Sequence, residues 1–198
     1  MDARPYHHGH LGAALVDAGE MAAREGGSGA VTLRELAKSV GVSPAAAYRH
    51  FPSLDHLVAA VSQRARERLA ARMIAARDAL PDNGGAEAGW ARFLATGRAY
   101  VAFGTSEPKL FETAFAPCPA PPRRADDPAA WDVLVGALDA LEARGAISPE
   151  RRIDAPLIAW SAVHGLASII ASGVLPEGST PGAATDAVLL GVRRALEG

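Results

Sequence analysis

The sequence predicts an all-α fold on three observations. No stretch of useful length alternates apolar and polar residues as a half-buried strand would, apolar residues recur instead at spacings of three and four, and helix start and stop signals divide the chain. Its 198 residues, 49% hydrophobic and 21% charged, are ordinary for a globular chain that buries a core of its own. They divide into a three-helix domain over residues 1–57 and a larger helical bundle over residues 58–198, joined by a long helix. A formal net charge of −2 argues against indiscriminate nucleic-acid binding but leaves room for a local positive face. The single cysteine, Cys118, excludes an internal disulfide and fits a reducing interior. No secretory signal is visible, so a cytoplasmic protein is expected.

The first helix carries Leu11, Leu15, Ala18 and Ala22 on one face and ends at Gly26 and Gly27. His7, His8 and His10 lie at its start; without a carboxylate or cysteine partner they make no metal site, and no cofactor is expected. Thr32 and Glu35 form a capping box that starts a second helix, with Val31 and Leu36 as its hydrophobic staple. Leu33, Leu36, Ala37 and Val40 make one apolar face, and Gly41 supplies the left-handed stop. Ser43 as N-cap and Pro44 at the first helical position restart the chain as a third helix, to about Phe51. A helix this short is held by packing, through Val42, Ala47 and Phe51.

That packing leaves Pro44, Ala45, Ala46, Tyr48, Arg49 and His50 on the outer side or rim. Three consecutive alanines keep the helix slim enough to lie deep in a major groove about 12 Å wide. Arg49 then reaches base edges or phosphate, the tips of Tyr48 and His50 suit phosphate oxygens, and Ser43 and Thr32 bring hydroxyls and backbone N–H groups to the DNA backbone. The pattern is a helix-turn-helix.

Ser53 caps the long helix from Leu54, with Leu57, Val61, Leu69, Met73 and Leu80 along one side as far as Pro81. Its arginines, Arg64, Arg66, Arg68, Arg72 and Arg77, read as a solvated face with acidic partners such as Glu67 and Asp78. Residues 81–89 read as a loop, followed by helices over Trp90–Thr105 and Pro108–Ala116. Five prolines make 117–128 an irregular loop. Helices resume with Trp131, Leu134, Leu138 and Leu141 on one face, until Gly145. Residues 155–175 carry no charge over a length that could span a bilayer. Pro156, His164 and several serines favour instead a helix buried between subunits, so no membrane partner is expected. Small residues, Ser161, Gly165, Ser168 and Ser172 on that helix and Ala184, Val188, Gly191 and Ala195 on the last one, permit close pairing across a two-fold axis and predict a homodimer. The candidate lining of a ligand cavity is Tyr100, Phe103, Phe111, Phe115, Trp131, Trp160 and His164, set against the plain alternative that aromatics at helical spacing are core.

Thr32, Leu36, Ala37, Gly41, Val42, Ser43, Ala47, Tyr48, His50, Phe51 and Leu57 resemble the DNA-binding domain of the TetR family of one-component bacterial regulators. The first helix resembles that family's first helix, and AYVAF (99–103), EPKLFETAF (107–115) and WSAVHGL (160–166) resemble a subgroup whose C-terminal domain carries a Trp-His-Gly signature. The resemblance implies that Tyr6–Gly9 lie near the DNA backbone and that Arg34 reads a base. The family's usual phosphate-holding lysine is Leu54 here, and the bulky residue common at position 47 is reduced to Ala47.

The expected function is therefore that of a ligand-responsive, DNA-binding transcriptional regulator, a homodimer on a palindromic operator. The resemblance implies repression, with release by a small apolar effector. An enzyme would need Cys118 and His164 brought together, and no nucleophile elbow, phosphate loop or metal-spaced cluster accompanies them. The alternative is a helical dimeric adaptor or ligand-binding protein without specific DNA binding.

Overall fold

The computed structural model describes residues 8–117 and 129–197, with side chains from Leu11 onward in the first helix. His7, Cys118 and the rest of 118–128 lie outside the described residues, as do the side chains of His8 and His10. Among the described residues there are nine α-helices and a short 3-10 turn, with no strand.

In α1 (His8–Gly26) the buried face is Leu11, Leu15, Val16, Gly19 and Ala23, a slight rotation from the expected Leu11, Leu15, Ala18 and Ala22. The reason is Gly19: a Cβ there would lie 2.7 Å from Val61 Cγ2, so the bare backbone seats the next long helix. Thr32 caps α2 (Leu33–Val40), its Oγ1 accepting from the Glu35 N–H at 3.4 Å. The box closes through the Thr32 hydroxyl, which donates to Glu35 Oε2 at 3.1 Å. Gly41 takes φ 79°, and the Val42 N–H donates back to the Ala37 carbonyl at 2.9 Å. Ser43 Oγ then accepts from the Ala46 N–H at 3.2 Å to start α3 (Pro44–His50). Val31, Leu33, Leu36, Ala37 and Ala47 are all buried beneath these two helices.

Ser53 caps α4 (Leu54–Asp78), accepting from the His56 N–H at 3.4 Å. The helix stops three residues short of Pro81, where the Leu80 carbonyl is taken by Arg92 Nη1 at 2.6 Å. Of its arginines, Arg64 pairs with Asp17, Arg72 with Glu107 and Arg77 with Asp78. The next helix, α5 (Ala86–Ser106), begins four residues before the expected Trp90. Gly89 is no breaker there: it sits inside the helix, its N–H donating to the Gly85 carbonyl at 3.0 Å. After α6 (Pro108–Phe115) come α7 (Ala130–Ala143), α8 (Pro149–Ala171) and α9 (Pro181–Glu197). Helix α8 starts six residues ahead of the charge-free stretch, at the Ser148 cap with Pro149 in first position.

The described residues form two compact units, 8–65 with 109–117, and 66–108 with 129–197. The division expected at residue 57 follows the motif; the packing division falls inside α4 and assigns α6 to the N-terminal unit. There α6 buries Leu110, Phe111 and Ala114, and Ser62 Oγ donates to the Thr113 carbonyl at 2.7 Å. In the second unit Trp90, Phe93, Leu138, Leu141, Ile147, Val192 and Leu196 form the core of α5, α7, α8 and α9. One described helix, Pro149–Ala171, is long and apolar enough to cross a membrane. It packs Ala155, Ala159, Val163, Leu166 and Ala167 into this unit.

Candidate nucleic-acid interface and apolar cavity

Seven residues make α3 only about 10 Å long. Its caps and its packing on α1 and α2, centred on Ala47, hold it. Ala47 is 0% exposed, and with that side turned in, Pro44, Ala45, Tyr48 (52% exposed) and Arg49 stand outward. Ala46 is half-buried at the rim, and so is His50, whose Nδ1 leans on α1, 3.6 Å from where a Cβ on Gly12 would lie. Ser43 is exposed at the helix start and Thr32 half-buried at the start of α2. Arg34 is exposed on α2, and Lys38, one turn further on, shares that exposure. Lys38 is absent from the residues expected from sequence, although its i, i+4 spacing from Arg34 was the available signal. Leu54 is 42% exposed at the first position of α4.

The second unit encloses a small apolar cavity of about 20 Å3. Tyr100 and Trp160, two of the candidate lining residues, border it. Burial pushes the Tyr100 phenol well above its usual range. Its hydroxyl lies 2.8 Å from His164 Nδ1, and the His164 ring stacks on Trp160 with 6.0 Å between centroids. Trp131, 40% exposed, meets Trp160 edge-on at 5.6 Å. These four aromatic and imidazole groups come together. Phe103 does not line the cavity; it is fully buried, with the Arg72 guanidinium 5.0 Å over its ring. Phe111 and Phe115, 5.0 Å apart, belong to the N-terminal unit. What sequence reasoning missed is the small residue opposite a large one. A Cβ on Gly97 would lie 2.6 Å from Leu189 Cδ2, so the α9 leucine closes the cavity over a bare α5 backbone. Met73 brings α4 into the same lining. Among the described residues no group of three or more His, Cys, Asp or Glu side chains is placed to hold a metal ion.

Burial lowers the His164 pKa from 6.5. As pH falls below 6.5 the unfolded chain takes up a proton that the folded chain resists, so stability falls with acidification and the loss continues until the folded pKa is passed. Above that range both states are neutral and the term vanishes. The depressed carboxylates Asp78, Asp82 and Glu87 start from 3.8 to 4.5 and act in a lower window. Urea denaturation at roughly pH 7.5 and pH 5.5 should therefore show a smaller difference for His164→Gln than for the parent. An unchanged difference would assign the acid sensitivity elsewhere.

On the outer side of the second unit, Ile153 (76% exposed), Leu157 (66%) and Ile158 of α8 and Leu190 of α9 face outward. Ser161 and Gly191 are exposed among them, and a Cβ on Gly165 or Gly191 would meet nothing within 4 Å.

An outward two-turn helix on a helix-turn-helix, joined to a unit of packed helices, defines a DNA-binding transcriptional regulator by fold and domain content. Residues 15–61 match the model of bacterial regulatory proteins of the tetR family, and residues 93–192 match a tetracyclin repressor-like C-terminal domain. The chain belongs to the TetR family. No curated protein matches it in sequence. A Rhodococcus protein described as of unknown function is similar over 99% of this chain and 100% of its own, with 28% identity and a TM-score of 0.80. A TetR family transcription regulator from Marinobacter aquaeolei shares the fold at 16% identity and a TM-score of 0.65, covering 93% of this chain and 94% of that one. A TetR variant from Acinetobacter baumannii in complex with minocycline does so at 18% identity and a TM-score of 0.61, covering 92% of each.

Proposed function

We propose that the chain is a cytoplasmic homodimeric repressor that binds a palindromic operator and is released by a small, largely apolar effector. The observation that carries this reading is α3, with Ala47 turned in and Tyr48 and Arg49 turned out. Two copies spaced about one helical turn of DNA, roughly 34 Å, or somewhat more, would read the two half-sites. The outward apolar face of α8 and α9 supports dimerisation, since side chains such as Leu157 and Leu190 are costly to leave in water. Repression rests on the family likeness, and membership of the Trp-His-Gly subgroup on Trp160, His164 and Gly165.

The effector reading is supported by the uncharged cavity lining. At about 20 Å3 the cavity holds no more than a water molecule, so an effector enters only if lining side chains move. Leu189 and Met73 are the candidates. Met73 lies on the same helix as Leu57 and Val61, so displacing it shifts the element that runs on into the helix-turn-helix unit. The effector then favours one of two states by its difference in affinity for them.

Footprinting and gel retardation with DNA flanking the chain's own gene test the first half. A protected palindrome, with affinity that falls as salt rises, is the expected result. Absence of both specific protection and salt-sensitive retardation would leave the adaptor reading in its place.

A further inference from the structure

Next to the apolar cavity, and sharing Phe93 with it as a wall, lies a second cleft of about 130 Å3 between the end of α4, α5 and α7. Its character is different. Arg77, Arg92 and Arg144 line it, and the carboxylate it holds belongs to Asp82, from the loop between α4 and α5. Arg144 Nη2 donates to Asp82 Oδ1 at 2.9 Å and to Oδ2 at 2.7 Å, while Arg92 Nε stands 3.6 Å from Oδ2. Asp78 engages Arg77 at 2.8 Å and Arg92 at 3.0 Å. Three guanidinium groups thus meet two carboxylates. Both Arg144 bonds leave from one nitrogen, so among the described residues its Nε and Nη1 keep donors for a further acceptor.

Two features make this cleft a built one. Arg144 lies close over Gly89, where a Cβ would stand 3.0 Å from Nη1 and 3.1 Å from Cδ, so a side chain at 89 would crowd the guanidinium. Asp82 arrives on a loop that turns at Gly84, φ 77°, whose N–H also donates to the aspartate at 3.1 Å. A loop segment therefore places a carboxylate against the arginines, in a cleft that shares Phe93 with an apolar cavity.

We propose that this cleft receives the carboxylate of the effector, an organic acid whose apolar body lies past Phe93 in the cavity, and that Asp82 occupies the arginines until the acid arrives. The inference rests on the effector reading above and narrows it from an apolar molecule to an amphipathic anion. Arginine suits the task, since its planar fork recognises carboxylates with charge-assisted hydrogen bonds.

The test titrates the full-length protein with octanoate and decanoate, and with octanol and decanol as uncharged bodies of the same length. Binding is read by calorimetry, and release of the footprinted DNA by fluorescence anisotropy. The acids should bind at least about tenfold more tightly than the alcohols. Arg144→Gln should remove that advantage and leave the alcohols unaffected, with Arg144→Lys intermediate as a variant that keeps charge and packing. Asp82→Asn should tighten the acids severalfold, because the internal competitor loses its charge. Release by alcohols and acids alike, or acid binding indifferent to Arg144, discards the carboxylate receptor and keeps the effector cavity. Failure of both series to bind or release, with DNA binding intact, counts against receptor and cavity together.

Discussion

Tyr48→Phe combined with Arg49→Ala should strongly weaken specific operator binding while leaving the fold and the effector cavity untouched. Both side chains are exposed on α3, so their removal should change folding stability by no more than about 0.5 kcal/mol. On DNA each protomer loses an arginine that reaches base edge or phosphate and a hydroxyl suited to phosphate, worth about 1–3 kcal/mol for a base contact. A dimer loses this twice, so affinity should drop by at least about thirtyfold. Anisotropy at fixed salt on the protected palindrome reads the loss, and sizing chromatography checks the assembly. Unchanged affinity would mean that α3 does not enter the groove, and the adaptor reading would gain.

The largest effect on stability should come from Trp90→Ala, about 3–5 kcal/mol. Trp90 is 2% exposed in the core of the second unit, packs edge-on against Phe93 at 5.6 Å and has the Arg193 guanidinium 5.2 Å over its ring. A protein of ordinary stability, about 5–15 kcal/mol, would lose a large share of its margin. The control is Arg193→Met. It deletes ion pairs to Glu87 and Glu197 and the cation over the indole, yet Glu87 is exposed and such pairs contribute little in water, so the cost should stay near 1 kcal/mol. Equal losses for the two variants would shift the weight from buried area to the charge cluster.

The helix-turn-helix was legible because its determinants act within a few residues. Thr32, Gly41, Ser43 and Pro44 each satisfy or release backbone groups one turn away, and the structure has helices starting and stopping beside them. Positions whose role depends on a distant partner were not legible. Gly89 has the composition of a loop yet lies inside α5, with the distant Arg144 against it; Gly97 faces Leu189 from another helix. Helix α6 presents an apolar face that suits either unit, and its packing, with the tie from Ser62 to the Thr113 carbonyl, shows which one holds it. Periodicity therefore marked Phe111 and Phe115 as candidate core or lining aromatics but could not say in which unit; they belong to the N-terminal one, Tyr100 and Trp160 to the other.

The allegiance of α6 bears on protein engineering. A DNA-reading half lifted out by a single cut after Ala65 would leave Leu110, Phe111 and Ala114 behind and expose the surfaces they cover. Grafting this specificity onto another regulator calls for two excisions and a splice. The chain is interleaved, and its modules cannot be traded like beads on a string.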